Sequence, residues 1–221
     1  IRNSLAGLAR SINIASDLPP AVSLTKATNA SLPKRVHGPL QVVFLSRICP
    51  IKNLDFLLHV LRGVNSSIDL TIYGPTEDIG YWNLCRYLIE DLPSHVSVHY
   101  SGELLPANVP LVLSSFDLFV LPTRGENFGH VILEALSAGT PVLISDQTPW
   151  LSDFSGAIEV LPLNDLILWQ SRLDAWASFD DVTLEARKLA AIELAQRFID
   201  NTHLIDATRK LFFQALQTQQ H

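Results

Sequence analysis

The stretch ENFGHVILEALSAGTPVLISD, Glu126 to Asp146, decides the fold. It follows FDLFVLP, Phe116 to Pro122, whose apolar run predicts a buried strand. After a short polar loop, Val131, Ile132, Ala135 and Leu136 recur at the spacing of one helical face, with the helix starting near Gly129. His130 and Glu134 share a different face, four residues apart. Gly139 is placed to stop this helix, and Pro141 to Ser145 begins the next buried strand. The unit is therefore strand–loop–helix–strand, and its helix N-terminus opens at the C-terminal edge of a parallel sheet. Open α/β sheets bind ligands at that edge.

The chemistry follows from what stands there. A helix N-terminus carries unpaired N–H groups and about half a positive charge, which favours a phosphate. Glu126 and Glu134 would repel phosphate, but carboxylates are good acceptors for hydroxyl groups. Side chains on a helix tilt toward its N-terminus, and Glu134 lies roughly 7 Å along the axis at about 1.5 Å per residue. A diphosphate at the helix tip would have one hydroxyl-rich group near Glu126 and another near Glu134. A nucleoside diphosphate sugar has that layout.

Two glutamates separated by seven residues, after an F-V-L-P strand and before A-G-x-P-V, resemble the signature of the retaining family 4 glycosyltransferases. Upstream, SRICPIKN (Ser46 to Asn53) is similar to that family's G-R-x-x-x-x-K-G segment, IYGP (Ile72 to Pro75) to its strand ending in Gly-Pro, and VHYSGEL (Val98 to Leu104) to its strand ending in a glycine turn. The motifs lie in family order from about residue 41 to 147. The resemblance implies a GT-B enzyme whose C-terminal, donor-binding domain is a Rossmann-like parallel sheet flanked by helices. It assigns the donor's phosphates to Arg47 and Lys52, the transferred sugar to Glu126 and the ribose hydroxyls to Glu134. Arg47, Lys52 and Glu126 are thus the expected catalytic group. The amides of Asn127, Phe128 and Gly129 would meet the donor, and the backbone at Glu103 and Leu104 the nucleobase. His130 would touch a phosphate, cap the helix or face solvent, and Phe128 reads as a packing anchor. Asn127 stands where many relatives carry Gly; Asn tolerates left-handed backbone, so the loop shape should survive.

For each residue a plainer reading stands beside this one. Arg47 and Lys52 could be two solvated charges, Gly74 a simple turn, and Glu126 a complement to the helix dipole. Dipole pairing explains Glu134 poorly, because a carboxylate well inside an apolar helix wants a partner.

Composition narrows the class. The 221 residues suit one large domain or one plus a remnant, and 48% hydrophobic residues can bury a sizeable core. With a net charge of −6 and no basic run, nucleic acid is not an expected partner. Leu111 to Leu121 is too short to span a bilayer and contains Asp117. Cys49 and Cys85, far apart and without C-x-x-C spacing, fit free thiols in a reducing cytoplasm. The chain starts at Ile1 and has no Met, which reads as a start partway through a gene product.

Taken in order, residues 1–39 are punctuated by Pro19, Pro20, Pro33 and Pro39 and read as an interdomain linker or N-terminal-domain remnant, with an edge element of the same domain as the alternative. Residues 40–221 are expected to form the nucleotide-sugar-binding domain with C-terminal helices. Its strands are predicted at Gln41 to Ser46, Asp69 to Gly74, Val96 to Ser101, the signature pair, and Ala157 to Leu161. Asn53 is placed to cap a helix whose core face is Leu54, Leu57, Leu58 and Leu61. Helices are also expected at Glu77 to Asp91, Asn108 to Ser115 and Leu166 to Trp176. Trp150 reads as core near a short helix, and Asp181 as the cap of a long helix with Ala191, Leu194, Ala195 and Phe198 on one face. Leu204 to Ala215 reads as a last amphipathic helix.

No G-x-G-x-x-G, Walker loop or G-x-S-x-G elbow occurs. No Asp-x-Asp or His/Cys cluster is present, so neither a cofactor nor a metal is expected. The expected function is transfer of a sugar from a UDP- or GDP-linked donor to a saccharide or lipid-linked acceptor held by a domain outside this chain. Surface polysaccharide synthesis, with peripheral membrane association of the full-length enzyme, follows by analogy only. By itself the chain is expected to bind nucleotide weakly and transfer nothing. The rival readings are another GT-B enzyme, such as a sugar-nucleotide epimerase or a phosphorylase-like protein, and a non-catalytic module.

Overall fold

The computed structural model describes residues 38–200. The expected linker up to residue 37 and the last amphipathic helix lie outside the described residues.

Six strands form one parallel sheet: β1 (Leu40–Leu45), β2 (Ile68–Tyr73), β3 (Val96–Tyr100), β4 (Leu118–Leu121), β5 (Val142–Ser145) and β6 (Ile158–Leu161). Their order across the sheet is β3-β2-β1-β4-β5-β6, every neighbouring pair being parallel. This is the doubly wound, Rossmann-like arrangement. The order reverses between β1 and β4, where Val42 pairs with Leu118 and Val43 with Phe119. The crevice beyond the C-terminal ends of those two strands is the switch point at which such sheets bind ligands.

Burial explains the strand sequences. Every residue of β4 and β5 is buried, as expected of central strands covered on both faces. At the edge, β3 buries only Val96 fully, and its alternation is correspondingly weak.

The helices are α1 (Leu54–Leu61), α2 (Ile79–Glu90), α3 (Val109–Leu113), α4 (His130–Ser137), α5 (Leu166–Ser178) and α6 (Asp181–Ile199). Helix α1 buries Leu54, Leu57, Leu58, Val60 and Leu61, and α5 packs beside it through an edge-on contact of Phe56 with Trp169, centroids 5.5 Å apart. Helix α6 lies on α4. Ala191 and Ala195 are fully buried there, and their small side chains admit close approach; Leu194 and Phe198 pack at the margin. Among the described residues no helix is long and apolar enough to cross a membrane.

Four expectations are corrected. Asn53 stands before α1 but does not cap it: its backbone is left-handed (φ 61°) and its side chain reaches another segment. The cap of α6 is Asp180, whose carboxylate accepts from the Thr183 N–H at 2.8 Å, one residue before Asp181. No helix forms near Trp150, although its ring is buried as expected. In the signature loop the left-handed backbone falls on Gly129 (φ 81°) rather than on Asn127.

Candidate functional site

The site begins with two glycines that bring three strand ends together. Gly74, just after β2, has φ 132°, and a Cβ there would come within 1.9 Å of the Ser46 carbonyl oxygen. Only glycine lets the β1 and β2 loops run this close. The Gly74 N–H donates to the Gly102 carbonyl at 2.8 Å, and the Tyr100 hydroxyl to the Gly74 carbonyl at 3.0 Å. Beyond Gly102 (φ 74°), Glu103 is exposed and Leu104 packs half-buried on the core.

After β1 the chain makes a 3-10 turn, Pro50–Lys52, which turns Lys52 inward and Arg47 outward. Lys52 Nζ lies 2.6 Å from Glu126 Oε2, with 11% and 18% of the two side chains exposed. Arg47 Nη1 instead pairs with both carboxylate oxygens of Glu77, at 2.8 and 2.9 Å, in an exposed bridge. Arg47, Cys49, Ile51, Glu77 and Asp78 line a groove open to solvent. Burial pushes the Cys49 thiol above its ordinary pKa, and a hydrogen bond and the negative charge of Glu77 add to this.

Glu126 sits in the loop between β4 and α4. Its N–H donates to the Gln147 carbonyl at 3.1 Å, and its Cγ lies 3.2 Å from where a Cβ on Gly129 would stand. Lys52, Glu126 and the N-terminus of α4 therefore meet at the switch point. Aromatic packing holds the loop down. Phe128 is buried against Trp150 and Phe198, and the Trp150 Nε1–H donates to the Phe128 carbonyl at 2.6 Å. The expectation of a packing anchor at Phe128 is met. Asn127 is exposed, as is His130, whose ring lies 4.8 Å from that of Phe128.

Glu134 is half-buried on α4 among apolar neighbours. Its carboxylate makes no hydrogen bond or ion pair among the described residues, and burial raises its pKa above the usual carboxylate value, opposed by the charge of His130. A half-buried acceptor without a protein partner can take hydroxyl groups from a ligand.

The structure thus brings Lys52, Glu126 and Gly129 together and leaves Arg47 at the outer wall beside Glu77. Sequence reasoning missed Glu77 and Arg124. Arg124 stands two residues before Glu126, yet its Nε–H donates to Asn53 Oδ1 at 2.8 Å and its Nη2 lies 3.4 Å from Asp55 Oδ2. Its place in the signature loop was a visible signal; its partners, some 70 residues away, were not. Among the described residues no group of three or more His, Cys, Asp or Glu could hold a metal ion.

Residues 28–156, more than half of the chain, match the family model for Glycosyl transferases group 1. The phosphatidyl-myo-inositol mannosyltransferase of Mycobacterium leprae is 33% identical over 110 residues, 48% of this chain and 28% of that protein. A crystal structure of an S. aureus TarM mutant in complex with fondaparinux, alpha-GlcNAc-glycerol and UDP aligns with TM-score 0.70 and 16% identity, over 96% of this chain and 42% of that one. Anabaena HepE in complex with UDP-glucose aligns with TM-score 0.63 and 18% identity, over 80% of this chain and 49% of that one. The chain spans less than half the length of each of these proteins.

Proposed function

The chain belongs to the group 1 glycosyl transferases, and from that premise we propose that it is the C-terminal, donor-binding half of a retaining enzyme that moves a sugar from a nucleoside diphosphate to an acceptor. The observation that carries the reading is the Lys52–Glu126 pair, held at 2.6 Å in the sheet's switch-point crevice, with Glu126 against Gly129, the residue that precedes α4. Cationic groups and a helix tip there suit a diphosphate, and the two glutamates suit the hydroxyl-bearing rings on either side of it. Similar folds carry UDP or UDP-glucose in TarM and HepE, which supports the donor class.

In this reading Lys52 exchanges its bond to Glu126 for the donor's phosphate, releasing the Glu126 carboxylate to accept from the sugar. Arg47 leaves Glu77 to reach the same diphosphate, Glu134 takes the ribose hydroxyls, and the turn at Glu103 and Leu104 borders the base. The amides of Asn127, Phe128 and Gly129 contact the sugar and phosphate, with His130 at the rim. As the sugar gains oxocarbenium character, charge collects on the leaving diphosphate, where the two cations and the helix tip stabilise it. We propose that these groups suffice without a metal, and that turnover persists in excess chelator. The acceptor, a saccharide or a lipid-linked one, would be bound by a domain outside this chain.

Calorimetric titration with UDP and GDP, on the wild type and on Arg47→Ala, tests the reading. Saturable heat with one nucleotide, weakened in the variant, is expected. Heats equal to buffer dilution for both nucleotides would overturn it.

A further inference from the structure

The family-like segment around Lys52 departs from its pattern at the next residue, where Asn53 stands in place of glycine. The backbone there is left-handed, a conformation in which Asn is tolerated at modest cost. The side chain then does what glycine could not. It is 2% exposed; its Nδ2 donates to the Pro122 carbonyl at 2.9 Å, and its Oδ1 accepts from Arg124 Nε at 2.8 Å. Both bonds run to the segment that carries Glu126. One orientation of the amide satisfies both, because a carbonyl needs a donor and a guanidinium an acceptor.

Further bonds extend this link. The Arg124 N–H donates to the Ile51 carbonyl at 2.7 Å, and Thr123 Oγ1 to the same carbonyl at 3.0 Å. Arg124 Nη2 reaches Asp55 Oδ2, while the other oxygen, Asp55 Oδ1, accepts from the Tyr81 hydroxyl at 2.5 Å. That hydroxyl in turn accepts from the Asp55 N–H at 3.0 Å. The network therefore locks three segments: the turn ending in Lys52, the loop leading to Glu126, and α2 through Tyr81. Lys52 and Glu126 each stand one or two residues from it.

We infer that Asn53 and Arg124 form a clamp that positions Lys52 against Glu126, making both positioning residues for the donor site. The inference rests on the donor-site reading for its role in transfer, but the clamp itself is a statement about geometry. Charged groups held by two loops reach productive positions only if the loops are fixed to each other, and a misplacement of about 1 Å costs on the order of 100-fold in rate.

Asn53→Gly is the informative substitution, because glycine keeps the left-handed backbone and removes only the side-chain bonds. In the intact enzyme, Asn53→Gly and Arg124→Ala should each lower kcat by about 10- to 100-fold. KM for the nucleotide sugar should move less than about threefold, with the rate taken per folded molecule from circular dichroism, because partial unfolding also lowers the apparent kcat at constant KM. The double variant should be no worse than the poorer single one, since both remove one unit. Arg124→Lys, which keeps the charge without the planar fork, should not restore the rate. Independent of any ligand, hydrogen exchange at residues 122–129 should quicken in Asn53→Gly while β5 keeps its protection. Unchanged exchange there, or rate losses that multiply in the double variant, would overturn the clamp. Nucleotide binding by the wild type decides the donor-site reading separately.

Discussion

Lys52 Nζ and Glu126 Oε2, 74 positions apart in the chain, meet at 2.6 Å with 11% and 18% of their side chains exposed. A pair so placed gives little net stability, because desolvation offsets most of the attraction. Removing one partner is a different matter, since the other charge is then left half-desolvated. Lys52→Met should lower unfolding free energy by about 2–4 kcal/mol, and Lys52→Met combined with Glu126→Leu should lose clearly less than the two single changes together. Urea titrations of the four proteins measure this, and strictly additive losses would show that the pair is not coupled.

Glu134 should be costly to the unliganded fold. Burial raises its pKa above the usual carboxylate value, opposed by the charge of His130, so the folded state holds its proton to higher pH than the unfolded chain does. The stability this provides is complete below the unfolded pKa and is lost as pH rises through the folded one. Glu134→Gln should therefore raise Tm at pH 7 by about 1–3 °C, a gain that shrinks toward pH 4. The same change should weaken nucleotide binding by about tenfold, because a charge-assisted acceptor for the ribose is gone. Scanning calorimetry at both pH values, with and without UDP, checks both halves. A variant less stable than wild type at pH 7 would mean the carboxylate has a partner in the protein.

The sheet was legible because central parallel strands are buried on both faces, so Val42 to Phe44, Leu118 to Leu121 and Val142 to Ile144 read as unbroken apolar runs. The helix of the signature was legible from its 3.6-residue period, though Leu133, buried where no stripe was drawn, shows how wide the covered face is. What could not be read were choices between alternatives of similar local energy. Asn53 has the chemistry of a helix cap, and only the arrival of Pro122 and Arg124 from the loop after β4 diverts its amide. Asp180 and Asp181 are equally good caps by composition, and the chain's direction into α6 selected the first. Arg47 and Lys52 read as equivalent cations; the 3-10 turn between them sent one outward and one inward.

Gly74 should tolerate no side chain. An added Cβ would overlap the Ser46 backbone oxygen at 1.9 Å, and a backbone atom cannot swing aside as a flexible side chain would. The φ of 132° adds strain for any L residue. Gly74→Ala should cost about 2–4 kcal/mol, read from the urea midpoint. Gly102→Ala is the control: its φ of 74° is strained, but nothing lies within 4 Å of its Cβ, so the loss should stop near 1 kcal/mol, within the range for left-handed strain alone. Equal losses at the two positions would show that crowding at Ser46 is relieved by movement of the loops.

The two cations of the β1 loop should separate by salt. Arg47 and Glu77 are 56% and 47% exposed, and a bridge of that kind contributes between zero and about 1 kcal/mol. Glu77→Gln should thus leave stability within about 0.5 kcal/mol of wild type. It also releases Arg47 from a competing anion, so UDP should bind about two- to threefold more tightly at low salt, an advantage lost above the ionic strength at which exposed charges are screened. Lys52, enclosed beside Glu126, is screened far less, and the Lys52→Ala defect in UDP binding should persist at high salt. UDP titrations of wild type and both variants at about 0.02 and 0.5 M salt, concentrations on either side of a Debye length of roughly 10 Å, distinguish the two cases. A Glu77→Gln variant that binds UDP more weakly than wild type would mean that Glu77 aims Arg47 at the nucleotide rather than holding it back.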